Sequence, residues 1–325
     1  MVASEGISVV ITVRDDAEAL GPLLDALAAQ TRRPDEVIVV DGGSRDGTLE
    51  LLERRADGPP PLRVAHAPGA NIAAGRNAGV RVARHEWIAC TDAGCVPEPG
   101  WLEALAAARA DADFVGGVYA VDGRTPFEQS LAVALYPSVD EIERPSAWVR
   151  LWHFAFGRRF EAGQATGRSM AFTRTAWQAV GGFPEWVDAG EDVSFSAAVA
   201  AGGARAALAP RALVQWRPRS TWRGNVRMYV AYGRGDIRAG RRHRHALRLA
   251  AWTLASRLAA RPGRGRLLVG GAALAYLSLP VSRAHRAGLP RAWWWRVPLV
   301  IAMKDLSQIA GGAVGLLDAV RGGRA

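Results

Sequence analysis

The N-terminal part of the chain alternates two kinds of apolar pattern. Ile7–Val13 is a β-branched run with no polar alternation, the signature of a strand buried on both faces. Leu20, Leu23, Leu24 and Leu27 follow at helical spacing, so one face of a helix is apolar. Pro34-Asp35 marks a turn before a second buried strand, Glu36–Val40, which ends at Asp41. Gly42–Thr48 reads as a loop entering a helix that carries Leu49, Leu51 and Leu52. Leu62–Ala65 reads as a short third strand, Asn71–Ala83 as a helix with small residues on one face, and Glu86–Cys90 as a fourth strand ending at Thr91-Asp92. Strand and helix in alternation predict an α/β fold, a mostly parallel Rossmann-like sheet with helices on both faces. Ligands bind such sheets beyond the carboxyl ends of the strands. Here those ends carry Arg14-Asp15, Asp41 and Asp92.

Charge divides the chain. Residues 1–200 hold 18 Lys+Arg against 28 Asp+Glu, a net −10, and residues 201–325 hold 23 against 3, a net +20. The halves therefore meet different surroundings. The two cysteines, Cys90 and Cys95, are too few for a disulfide framework and read as reduced thiols of a cytoplasmic protein. Gly6 leads directly into the first strand, so no signal peptide is expected.

Four ordered segments carry a resemblance. Ile7–Asp15 with Asp35–Thr48 comes first, and Asn71 with Gly75-Arg76-Asn77-Ala78-Gly79 second. Thr91–Pro97 with Trp101-Leu102 is the third. Gly181–Glu185 with Gly190–Phe195 is the fourth. Together they resemble family 2 glycosyltransferases, inverting enzymes of the GT-A fold, over about residues 7–200. The resemblance implies a nucleotide-sugar donor held near Thr12, Arg14, Asp41, Arg76 and Asp92. Asp192 of Glu191-Asp192 matches the family's general base, which takes the acceptor's proton as its hydroxyl attacks the anomeric carbon. Glu191 and Ser169 are placed by the same resemblance on the acceptor or phosphate side. The family usually carries Asp-x-Asp with one acid on Mg2+ or Mn2+. Here the triplet is Asp92-Ala93-Gly94, so a divalent cation is expected on Asp92 alone, if one binds. The other readings are ordinary ones: Asp41 as a turn residue, Arg76 as a surface charge, Asp192 as an acid in a helix's first turn.

Residues 114–168 are less patterned. Val118–Ala120 reads as a strand, and the aromatics of Tyr136–Glu143 and Trp148–Phe160 are candidates for an acceptor cleft. An Arg-Trp motif that helps hold the diphosphate in the family has only a loose echo in Gln215-Trp216-Arg217, and Arg234 is the alternative phosphate contact. Residues 267–282 carry no charge, 292–303 only Arg296, and 306–317 none. None reaches the ~20 apolar residues of a simple span. Trp293-Trp294-Trp295-Arg296 and the basic flanks suit a headgroup boundary, so a basic helical region lying on or re-entering a membrane is expected. The expected division is a catalytic domain over 1–239, with halves 1–113 and 114–239, and a membrane-associated region over 240–325. The partners implied are a nucleotide sugar, a lipid-linked or cell-envelope glycan acceptor and the cytoplasmic face of the membrane, with no nucleic acid. Two other classes fit the sequence less well. A dinucleotide enzyme lacks its glycine-rich turn after Thr12-Val13-Arg14-Asp15. A basic membrane-binding protein with an inactive catalytic domain would share the tail but not the activity.

Overall fold

The computed structural model describes residues 6–56, 58–156, 165–187 and 189–322. The first strands and helices are β1 (Ile7–Val13), α1 (Ala17–Ala28), β2 (Glu36–Asp41), α2 (Thr48–Arg55), β3 (Leu62–His66), α3 (Ile72–Val82) and β4 (Trp87–Asp92). They follow the apolar pattern closely. Leu20, Leu23, Leu24 and Leu27 are the buried residues of α1, and all six residues of β2 are buried. Then come β5 (Cys95–Pro97), α4 (Trp101–Ala108), β6 (Phe114–Val121), α5 (Pro126–Leu135), α6 (Val139–Glu143) and α7 (Ala147–Phe156). They are followed by β7 (Met170–Thr173), α8 (Arg174–Ala179), α9 (Glu191–Ala201), β8 (Ala206–Trp216), α10 (Trp222–Arg238), α11 (Arg242–Ala259), α12 (Arg264–Arg286) and α13 (Arg296–Gly322).

One eight-stranded sheet runs β3-β2-β1-β4-β7-β6-β8-β5. The half built from β3, β2, β1 and β4 is parallel, as expected. The other half is not: β7 is antiparallel to both β4 and β6, and β5 is antiparallel to β8. The sheet is therefore mixed rather than mostly parallel. Beneath it, Phe114, Phe172, Phe183 and Phe195 pack ring against ring, with Phe183 and Phe195 stacked at 4.1 Å.

The chain divides into two compact units, residues 1–120 with 160–216, and residues 121–159 with 217–325. This differs from a division at 239/240, since α5–α7 and α10 fall with the C-terminal helices. Within the helical unit the core is Leu131 and Val133 of α5, Met228 and Tyr229 of α10, Ala284 of α12, and Val297, Val300 and Ile301 of α13. Buried Glu141 of α6 takes a two-pronged ion pair from Arg283 and a further contact from Arg286 at 2.7 Å. The α10–α13 crossing is close because glycines line it. A Cβ at Gly233 would overlap the carbonyl of Gln308, one at Gly311 would overlap that of Val230, and one at Gly315 would lie 2.9 Å from Cβ of Ile237.

The three short apolar stretches of the tail become parts of longer helices. α12 has 23 residues and α13 has 27. α12 and the run from Arg291 to Arg321 are each long and apolar enough to cross a membrane. Counting uncharged residues undershoots because arginines close the ends of α12, at Arg264, Arg266, Arg283 and Arg286, where long side chains can reach out of an apolar layer.

Candidate active site

Three strand ends stand side by side. The register sets Thr12 of β1 opposite Val40 of β2 and Asp92 of β4, and Val13 opposite Asp41. The loops beyond them are knitted together. The Asp15 N–H donates to Ser44 Oγ at 2.9 Å, and Asp15 Oδ1 accepts from the Arg45 N–H at 2.7 Å. Arg14 is exposed at this rim. Asp41 is buried, and its carboxylate accepts from the backbone N–H groups of Gly43 at 3.0 Å and Ser44 at 3.2 Å. Its visible work is to hold the β2–α2 turn, the ordinary reading of that residue.

Asn71 starts α3 by accepting from the Ala74 N–H at 2.9 Å. Gly75 then lets the helix settle on Thr12, for a Cβ there would lie 2.9 Å from Thr12 Cγ2. The next residue is thereby aimed at the end of β4. Arg76 is not a surface charge: it is 2% exposed, with Nη2 2.6 Å from Asp92 Oδ1 and Nη1 2.6 Å from Glu191 Oε1. Burial works against its charge, but Asp92, Glu191 and Asp192 outweigh it and hold the guanidinium protonated. Burial pushes the Glu191 carboxyl up, and neighbouring Asp192 pushes it the same way. Glu191 is thus a partner of Arg76 rather than an open acceptor-side group. Both terminal nitrogens of Arg76 are engaged with carboxylates, so its visible role is to organise the site rather than to brace a nucleotide.

Asp192 sits in the first turn of α9, behind Gly190, whose φ of 80° is left-handed. Its Oδ2 accepts from the Gly167 N–H at 2.9 Å, and its Oδ1 from the Val193 N–H at 2.8 Å. The side chain is half-buried. Each oxygen keeps a further lone pair for a substrate hydroxyl. Gly167 is needed twice, since a Cβ on it would overlap the Arg76 guanidinium. Asn77 fastens the neighbouring Gly181–Glu185 block. Its Oδ1 accepts from the Phe183 N–H at 2.9 Å and Trp177 Nε1–H at 3.0 Å, while its Nδ2 donates to Glu185 Oε1 at 2.8 Å.

Two expected residues go elsewhere. Ser169 is buried, accepts from Trp101 Nε1–H and donates to the Ala212 carbonyl, both at 2.9 Å. It joins α4 to β8, and its hydroxyl is used in both of these bonds. Arg234 lies in the helical unit on α10, with Nε 2.6 Å from Asp318. Its charge is committed to joining α10 to α13. The aromatics expected at an acceptor cleft also fall in that unit. Trp152 is buried beside Tyr276 and Leu279, Trp148 and Phe154 are exposed, and residues 157–160 lie outside the described residues.

The donor set for a divalent ion is thin. Asp92 is one carboxylate, and one of its oxygens is spent on Arg76. Among the described residues no group of three or more His, Cys, Asp or Glu side chains converges on a metal position. The described residues by themselves do not make a resident metal site. Cys90 and Cys95 are both free and buried, and burial pushes each thiol up to about 12, which leaves them unreactive. Sequence reasoning passed over Arg168. Its guanidinium lies 4.1 Å from the ring centre of Trp216 and 4.8 Å from that of Tyr119. No local signal marks it.

Residues 8–163 match the family described as Glycosyl transferase family 2. Glycosyltransferase AglE of Haloferax volcanii is 33% identical over 100 residues, which is 30% of this chain and 33% of that protein. The pre-mycofactocin glycosyltransferase of Mycobacterium tuberculosis is 28% identical over 234 residues, 70% of this chain and 46% of that one. The chain thus spans less than half the length of these curated relatives. The mannosyltransferase PcManGT from Pyrobaculum calidifontis, solved with GDP-Man and Mn2+, superposes with a TM-score of 0.64 at 22% identity, over 98% of this chain and 88% of that one. The strand ends, the acidic cluster and these likenesses agree: residues 8–163 are similar to the glycosyl transferase family 2 domain, and the fold is GT-A-like.

Proposed function

We propose that this chain is an inverting glycosyltransferase that moves a sugar from a nucleotide-sugar donor to a lipid-linked or cell-envelope glycan at a membrane. The carrying observation is the join between two halves of a site. The row Asp41, Thr12, Asp92 at the strand ends is tied through Arg76 to Glu191, one residue before Asp192.

In this reading the base and ribose lie along Thr12, Arg14 and the turn that Asp41 holds, and the diphosphate lies near Asp92. The acceptor oxygen forms a bond to the anomeric carbon as the bond from that carbon to the diphosphate breaks. The electron pair leaves on the nucleoside diphosphate, and the acceptor's proton goes to the Asp192 carboxylate. Attack opposite the leaving group inverts the centre without a covalent enzyme intermediate. Gly167 and Val193 N–H groups fix the orientation of Asp192, which positions the base before the substrate arrives. A divalent ion brought in on the diphosphate would meet Asp92 alone.

Screening UDP-, GDP- and dTDP-sugars for thermal stabilisation tests the reading. One base should raise the melting temperature, since a ligand at 100 times its dissociation constant adds ~2.7 kcal/mol. NAD should have no effect. Stabilisation by NAD and by none of the sugar nucleotides would overturn the assignment.

The tail supports the membrane setting. Leu267, Leu268 and Leu274 of α12, and Leu306, Leu317 and Val320 of α13, are exposed. Leu247, Leu249 and Leu254 of α11 are exposed as well, and residues 242–266 carry seven arginines and no acid. We place the chain on the cytoplasmic face, where nucleotide sugars are made. Attraction to anionic lipid is worth ~1 kcal/mol per basic residue near the surface and fades as salt shortens the Debye length to ~3 Å at 1 M. Apolar insertion persists. The chain should therefore sediment with anionic liposomes, resist release by 1 M salt and come off in detergent. A chain that stays in the supernatant at low salt refutes the membrane part of the reading.

A further inference from the structure

The aromatic helix α7 has two apolar faces. Ser146 starts it by accepting from the Val149 N–H at 3.2 Å. Val149 and Trp152 are buried against Leu279 of α12, and the Trp152 Nε1–H donates to the Tyr276 carbonyl at 3.1 Å. The other face carries Trp148, Leu151 and Phe154 at a spacing of three residues, and these are 49%, 56% and 73% exposed. A helix that is apolar all round belongs in apolar surroundings. α12 supplies them on one side only.

Two observations say what covers the outward face. The first is level. Glu141 of α6, just before α7, is bound by Arg283 and Arg286 near the C-terminal end of α12, and Arg286 is still half exposed. These charges mark a height that stays among water or headgroups. Along α12, Leu279 and Tyr276 lie about 6 and about 10 Å from Arg283 at the helical rise. α7 packs at that height. An amphipathic helix on a bilayer sinks its apolar face about 5–10 Å into the boundary between headgroups and acyl chains. From there α12 runs uncharged back to Leu267, with Leu274, Leu268 and Leu267 exposed. The outward face of α7 thus continues the exposed surface of a helix long and apolar enough to cross a membrane.

The second observation is charge. Residues 237–304, which hold α11, α12 and the turn into α13, carry 13 Arg and Lys304 and no acid. A protein partner would need acids of its own to match this belt, whereas anionic headgroups meet it at every point. Trp148 beside exposed Arg150 is the pairing of ring and cation that suits a headgroup boundary.

Resting on the membrane reading above, we propose that α7 lies in the bilayer boundary with Trp148, Leu151 and Phe154 against lipid, the Glu141–Arg283 pair at headgroup level and α12 leading inward. α7 then acts as a stop that fixes how deep α12 sinks.

The test uses the full chain reconstituted in vesicles of phosphatidylcholine and phosphatidylglycerol. Cys90 and Cys95 are buried, with thiols pushed up to about 12, so a polarity-sensitive fluorophore couples to an introduced cysteine alone. The variants are Leu151→Cys and Phe154→Cys on α7, and Leu268→Cys and Leu274→Cys on α12. All four alter exposed side chains, so the fold should survive them. Lipids spin-labelled near the headgroup or near the chain end quench the fluorophore by contact. Probes at positions 151 and 154 should lose most of their emission to the shallow label and little to the deep one. Stronger quenching by the deep label overturns the proposal. So does blue-shifted emission without quenching, which would put a protein, such as a second copy of this chain, over that face. The α12 probes separate this inference from the reading it rests on. Quenching at positions 268 and 274 but not at 151 and 154 refutes the placement of α7 and leaves the membrane reading standing. No quenching at any position removes both.

Discussion

Replacing Arg76 with methionine should destabilise the sheet-containing unit by about 3–5 kcal/mol, the cost of removing one partner from a buried ion pair. Methionine fills much of the volume, so the loss would not come from a cavity. It would come from Glu191, left buried beside Asp192 with its counter-ion gone, and from Asp92, which loses its contact at 2.6 Å. Arg76→Lys should recover little, because one ammonium cannot span two carboxylates as a planar fork does. A double variant, Arg76→Met with Glu191→Gln, should be more stable than Arg76→Met alone, since the stranded charge is removed. Urea unfolding followed by tryptophan fluorescence measures all three. A midpoint shift worth under about 1 kcal/mol for Arg76→Met would place the pair among weak surface contacts instead.

Asp192→Asn should lower turnover by roughly 10²–10⁴ while donor affinity stays near wild type. Asparagine keeps the size and one acceptor oxygen for the Gly167 or Val193 N–H, so α9 should start as before. What is lost is the capacity to accept a proton from the acceptor hydroxyl. Single-turnover transfer, with donor affinity measured separately, distinguishes this from a binding defect. Wild-type turnover in the variant would remove Asp192 as the base. Loss of donor affinity equal to the loss of turnover would mark it as a ligand-holding residue.

The parallel half of the sheet was legible because its physics is local. β1 and β2 are buried on both faces and read as unbroken apolar runs, and the leucines of α1 recur at the helical period. The antiparallel half was opaque for the opposite reason. β8 contains Pro210 and Arg211 and alternates only partly, and its partners are set by long-range pairing. The site shows the same divide. Strand-end acids can be read from where apolar runs stop. The Arg76–Glu191 pair joins residues 115 apart, and nothing local announces it. The resemblance put Ser169 on the acceptor or phosphate side, but its hydroxyl is consumed by Trp101 and Ala212. Arg168, its neighbour, carries no local signal of its own. Its aromatic partners come from β6 and β8, strands whose positions the pattern did not give.

The glycine seam between α10 and α13 bears on what happens to that helix pair when its solvent changes. Water drives apolar side chains together, and in a hydrocarbon phase that drive vanishes. Backbone in contact with backbone at Gly233, Gly311 and Gly315 gains its attraction from closeness alone, which either phase leaves intact. The seam is thus a fastening less tied to its medium than the apolar core and the Arg234–Asp318 pair that also join these helices. In the membrane setting proposed above, that seam would keep its closeness on either side of the boundary between water and lipid.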